Sequence, residues 1–324
     1  MADRTPLRGT FFAFQKRDGA LLLPAAITFI VGMVVLIVVW VLGIAALVGG
    51  FANAVAAQAD PATAASRALL IFPLYVVFLF AIFLWGAAFE AGCLRWMIRG
   101  EREGLFGFSF GADTWRVYSG YWLWLVFFIV GYILTAVLFF IFIAIGAGFA
   151  ATARDLPPAV GVAGVVVAVI ACLVLPIWLG VRTAPAAATS IVRRKFAFFD
   201  SWKASKGRFW SLFGSFFVLW LIYFIVIAAL WIPIMGPMFT AGFQAGFQHP
   251  GDSAASSEAM RAAMHDRFEN TSFVVLYFGL QLVGIFLATW FYVLLYGVNA
   301  RAVLVAVEEG KIEGVTPGVA KAFE

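Results

Sequence analysis

Charge is what this sequence has least of. Of 324 residues, 22 are Lys or Arg and 17 are Asp or Glu, together 12% of the chain, against about 25% in ordinary soluble domains. Such a set cannot clothe a globule in which 64% of residues are apolar and 36 Phe and 12 Trp need cover, so a soluble fold is excluded. Two cysteines, Cys93 and Cys172, are too few for a disulfide framework, and both lie in apolar runs where they read as small buried hydrophobes. Two histidines, His249 and His265, are too few and too far apart for a metal site of their own. No Gly-rich phosphate loop with Lys and no His-Glu-x-x-His occurs. An enzyme, a resident metal and a cofactor are therefore not expected, and no connection is long enough to hold a catalytic domain.

What is present is apolar length. Six stretches, Leu21–Val48, Leu69–Met97, Tyr121–Phe149, Gly161–Val181, Trp210–Met238 and Phe273–Val298, reach the ~20 residues that cross a hydrocarbon core. The expected fold is therefore all-α, a polytopic membrane protein of six transmembrane helices in a single domain. The first run is too long for a signal-peptide core, which spans about 7–15 residues, and reads as an uncleaved span.

The scarce charges define a topology. With six spans, 18 of the 22 Lys and Arg residues fall on the side of the termini and 4 on the other. The positive-inside rule then places both termini in the cytoplasm, and the Ala- and Gly-rich composition points to a bacterial inner membrane. The net charge of +5 is accordingly read as membrane orientation and not as nucleic-acid binding. Residues 240–272 form the longest outside loop, with Gly242 and Gly246 at a close-packing spacing. Within it, a helix is expected from Asp252 to Phe268, capped by Asp252 or Ser253 and carrying Met260, Met264 and Phe268 on one face. Trp231-Ile-Pro-Ile-Met-Gly-Pro237 reads as a kink at a span end.

The inner connections repeat. Asp113-Thr-Trp-Arg116 followed by Gly120-Tyr-Trp122 matches Asp200-Ser-Trp-Lys203 followed by Gly207-Arg-Phe-Trp210. Gly100-Glu-Arg-Glu-Gly104 matches Gly310-Lys-Ile-Glu-Gly314, and Phe14-Gln-Lys-Arg-Asp-Gly19 is a degenerate version. Three units are expected, residues 8–104, 105–192 and 193–314, each an amphipathic segment followed by a membrane hairpin. The segments, 8–19, 106–119 and 194–208, combine aromatic stripes with positive charge. Trp115, Arg116, Trp202, Lys203, Lys206 and Arg208 are the candidate contacts with the interface, where anionic lipid attracts each basic group by about 1 kcal/mol.

Charges near span ends are the remaining candidates for a site, because each costs roughly 2.5–3.5 kcal/mol at a span centre. Glu90, Arg182, Asn299 and Arg301 qualify, with Glu90 expected either to pair with Arg301 or Arg182 or to snorkel to the inner interface.

Ser201-Trp-Lys-Ala-Ser-Lys-Gly-Arg-Phe-Trp-Ser-Leu-Phe213 resembles the membrane domain found ahead of the catalytic barrel in some bacterial glycerophosphoryl diester phosphodiesterases and in related free-standing membrane proteins. The likeness covers about a dozen residues and the general layout. The barrel is missing, so the resemblance implies a stand-alone membrane module and transfers no catalytic residue. The expected role is a non-enzymatic scaffold, regulatory or lipid-organising module, with membrane lipid, a protein partner or a second copy as partner. The alternative is a transporter or channel for a small solute or lipid.

Overall fold

The computed structural model describes residues 22–56, 61–101, 103–105, 107–152, 174, 176–248 and 253–314. It is 88% helical, and no strand occurs among the described residues. In chain order the helices are α1 (Leu22–Ala56), α2 (Pro61–Arg99), α3 (Ala112–Thr152), α4 (Ala186–Arg193), α5 (Ser201–Ser205), α6 (Phe209–Gln248), α7 (Ser253–Phe268) and α8 (Thr271–Glu308). Residues 176–183 are helical as well.

Five of these, α1, α2, α3, α6 and α8, are long and apolar enough to cross a membrane. They correspond to five of the six apolar stretches. The fourth, Gly161–Val181, lies mostly outside the described residues, as do Cys172 and the segment 8–19. The five helices have 35 to 41 residues and so measure roughly 52–62 Å, about twice the hydrocarbon thickness. Each therefore has length to spare for a second environment.

That second environment shows in α2. Phe72, Tyr75, Val77 and Phe80 are exposed, whereas every residue from Ala87 to Ile98 except Gly92 is buried. The helix leaves an apolar solvent and enters a protein core at one end. Two glycines of α1 set how closely α2 lies against it. A Cβ on Gly32 would come within 2.2 Å of the Trp85 ring, and one on Gly43 within 3.1 Å of Leu74. Small residues at such crossings let backbones approach. The Trp85 indole donates to the Phe29 carbonyl at 3.0 Å and Phe29 stacks on Phe89 at 4.3 Å.

The chain divides into two compact units, one comprising Met1–Phe213 with Tyr296–Glu324 and the other Gly214–Leu295. The second is an antiparallel pair, the apolar part of α6 against that of α8, held by rings: Trp220 and Tyr223 on Phe291, and Trp231 on Tyr277. The expected loop 240–272 is largely helical. Pro233 and Pro237 lie inside α6, which continues to Gln248. α7 then folds against it where the glycines allow, with Gly242 facing Met260 and Gly246 facing Ser256. The stretch from Trp231 to Pro237 stands at the end of the candidate span Phe209–Pro237, as expected, while the helix itself runs on. Proline removes one backbone donor, and this helix is continuous on both sides of the gap.

The two amphipathic segments differ from their expected form. Residues 112–119 are the first turns of α3 and continuous with it, with Asp113 in the first turn where the helix dipole favours an acid. Phe108 precedes the helix and is buried against Trp85. In 194–208, Phe198 is likewise buried, and α5 is a separate short helix.

Candidate functional site

The basic residues gather where α2, α4 and α8 end. Each of these helices stops at a residue in left-handed conformation: Gly100 (φ 69°), Arg194 (φ 52°) and Gly310 (φ 68°). Such a residue lets the last N–H groups bond back to carbonyls of the final turn. Gly100 donates to the Trp96 carbonyl, Arg194 to Ile191, and Lys311 to Ala306.

The residue just before each stop carries a charge. Arg99 pairs with Asp113, and the other oxygen of Asp113 pairs with Arg116. Arg193 pairs with Asp200, whose other oxygen takes Lys203 at 3.1 Å. Glu309 pairs with Arg208 and, at 2.8 Å, with Lys311. The aspartates of the two matched motifs therefore do the same thing: each bridges the arginine that ends the preceding helix and the basic residue three positions on. The tryptophan between them stays open in both copies, Trp115 being 50% and Trp202 39% exposed. Glu101 ties the first two helix ends together by forming ion pairs with both Arg99 and Arg194.

The layer has a buried member that sequence reasoning counted only for topology. Arg95 is 1% exposed, and its Nη1 donates to Glu103 at 2.7 Å and to Ser109 at 2.6 Å. Its spacing of four from Arg99 was a visible signal, since the two lie one turn apart on the same helix face. Glu309 is held below the ordinary carboxylate range, first by its hydrogen bond to Lys311 and then by Arg208, against an upward push from partial desolvation.

The four polar candidates near span ends are not one site. Glu90 is buried at 6% exposure and accepts a 2.5 Å hydrogen bond from the Tyr121 hydroxyl, which in turn interacts with Tyr296. Among the described residues it forms no ion pair, so the pairing with Arg301 or Arg182 is corrected to a carboxyl–phenol contact. Glu90 does not snorkel, because α2 is enclosed by protein from Ala87 onward. Arg182 instead donates to the Ser205 carbonyl at 3.2 Å and sits among the rings of Trp178, Trp202 and Phe209, each within 5.9 Å of its guanidinium carbon. Asn299 is buried with its Oδ1 unpartnered, and Arg301 has an enclosed Nη1 without a partner among the described residues.

The interface candidates also sort differently from expectation. Arg116, Lys203 and Arg208 are committed to carboxylates within the chain, while Lys206 is exposed without one among the described residues. Among the described residues no cluster of three His, Cys, Asp or Glu side chains could hold a metal ion.

Fold and charged layer together define an all-helical protein with, among the described residues, five helices fit to cross a membrane, and with charged helix ends tied by ion pairs. No family model matches the chain, and comparison with the curated proteins and with the solved structures finds no match.

Proposed function

We propose that this is a non-enzymatic module of the bacterial inner membrane, with both termini cytoplasmic, that organises lipid or holds a partner on its charged layer. Six spans would form three units, each an amphipathic segment followed by a helical hairpin. The observation that carries the reading is the duplicated anchor: Arg99–Asp113–Arg116 and Arg193–Asp200–Lys203 are the same bridge built twice, each presenting an open tryptophan. A duplicated bridge supports duplicated units, and it supports a layer built to be rigid and to face the membrane interface, where tryptophan is favoured. The resemblance to the membrane domain of glycerophosphoryl diester phosphodiesterases fits a free-standing module of this kind.

Affinity purification of the full chain in mild detergent, followed by mass spectrometry of co-purifying proteins and lipids, tests it. Recovery of an anionic lipid or a stoichiometric protein is the expected result; folded protein at good yield carrying neither overturns the reading. A transporter is the second reading, and the polar chain Glu90–Tyr121–Tyr296 within the helices favours it. Solute uptake by proteoliposomes that is abolished by Glu90→Gln would establish that function instead.

A further inference from the structure

The neutralised cations of the charged layer decide where an anion from outside could bind. Most are paired with carboxylates of the chain, whereas Arg182, Lys195, Lys206 and Arg301 have no carboxylate partner among the described residues. Two of these four flank one turn. Arg182 and Ser205 are tied reciprocally, the guanidinium Nη1 donating to the Ser205 carbonyl at 3.2 Å and the Ser205 hydroxyl donating to the Arg182 carbonyl at 3.1 Å. Lys206 is the next residue and is exposed.

Rings hold the arginine in place without discharging it. Trp178, Trp202 and Phe209 stand 5.8–5.9 Å from its guanidinium carbon, within cation–π range. An arginine held by its faces keeps edge donors for a bidentate acceptor, the geometry that suits phosphate. Beside it Trp202 is 39% and Trp210 78% exposed, aromatic surface of the kind that sits at headgroup level. A free anion would have no use for those rings; a phospholipid would use both.

We propose that the turn from Trp202 to Trp210 is a binding site for an anionic phospholipid, its phosphate held by Arg182 and Lys206 and its glycerol region lying against Trp202 and Trp210. The site belongs to the second motif alone. At the first, Arg116 is spent on Asp113 and Arg95 and Arg99 are engaged with Glu103, Glu101 and Asp113. The inference rests on the lipid-organising reading above and makes it specific to one turn.

The test uses the full chain in mixed micelles, titrated with phosphatidylglycerol, phosphatidylcholine or inorganic phosphate, and reads bound lipid by native mass spectrometry. Phosphatidylglycerol is expected to be retained in preference to phosphatidylcholine. Lys206→Gln and Arg182→Gln should each weaken that retention about fivefold, the effect of one charge near an anionic surface. Lys195→Gln, which removes an equal charge from another exposed position, should leave it unchanged. Lys206→Gln lies on the surface and carries the test even if Arg182→Gln fails to fold. Retention insensitive to Lys206→Gln, or equally sensitive to Lys195→Gln, overturns this site and leaves the broader lipid reading standing. Displacement of the lipid by millimolar inorganic phosphate overturns it in favour of a free-anion site. Absence of any preference between the two lipids overturns both.

Discussion

The Asp113 and Asp200 motifs carry the same ion pairs on different backbones. In the first, Asp113, Thr114, Trp115 and Arg116 are the opening turns of a 41-residue helix that runs straight through Gly120. In the second, Asp200 closes a 3-10 turn, Phe198–Asp200, and Ser201, Trp202 and Lys203 open a five-residue helix; the corresponding glycine, Gly207, turns left-handed at φ 80° to separate it from α6. Aspartate, tryptophan and the basic residue keep their roles across that change. The charge bridge is thus what the motif specifies, and the path of the chain after it is set by the neighbours. Gly120 passes the Phe198 ring, 4.0 Å from where its Cβ would stand, in a packed helix; Gly207 has open space around it.

Breaking the bridges should give the largest effects and should rank them. Asp113 is 8% exposed and serves two arginines, so Asp113→Asn leaves Arg99, itself 6% exposed, as a buried charge without its main partner. Losing one member of such a pair costs about 3–5 kcal/mol. Asp200 is 26% exposed, and Asp200→Asn should cost about 1–3 kcal/mol because water takes over part of its role. Thermal or denaturant unfolding of both variants in the same detergent checks the order. Equal losses would mean that the two bridges are equally buried in solution, contrary to the structure.

The paired glycines sharpen the contrast with opposite signs. Gly207→Ala forces a Cβ into the left-handed region and is expected to destabilise by about 1–2 kcal/mol. Gly120→Ala puts the same methyl into a helix beside Phe198 at ordinary contact distance and is expected to stabilise by about 0.5–1 kcal/mol. A related pair lies at the helix stops. Arg194→Gly relieves a non-glycine left-handed residue, gaining about 1 kcal/mol while losing only an exposed ion pair with Glu101, whereas Gly100→Ala introduces the strain that Arg194 bears. Melting temperatures of the four variants suffice to decide.

These differences also mark what the sequence could and could not disclose. Apolar runs predict the membrane-crossing part of α2 closely, Leu69–Met97 against Phe72–Arg99, because hydropathy acts on each residue separately. They miss the start of α3 by nine residues, placing it at Tyr121 and not Ala112, because Asp113 and Arg116 look too polar for a span until their partner Arg99 is seen. The motif likeness of Asp113 and Asp200 was visible, and so was the candidacy of Glu90. Its partner was not, since Tyr121 is 31 residues away and nothing in the local pattern of either residue points to the other. Long-range pairing of that kind decides which candidate charges meet. The separate candidacies of Arg182 and Lys206 were legible in the same way, but their convergence on one turn depends on the Ser205 contact.

The smallest expected effect is a pH dependence that belongs to the third helix end, where the sign of the charge is reversed. Glu309 stands where Arg99 and Arg193 stand in the other two, and Lys311 and Arg208 hold its carboxyl below the ordinary carboxylate range. A group whose value is lowered on folding stabilises the folded state above its unfolded value and loses that stabilisation as pH falls through the lowered one. Stability should therefore decline on acidification through the carboxylate range more steeply in the parent than in Glu309→Gln, with a difference of less than about 1 kcal/mol because the carboxylate is 27% exposed and screened. Lys311→Gln should shift the parent's decline to higher pH, since it removes the stronger of the two supports. Unfolding midpoints measured from neutral to acidic pH for the three proteins test this, and an unchanged slope in Glu309→Gln would show that the reversed pair at the end of α8 is not a counterpart of the two aspartate bridges.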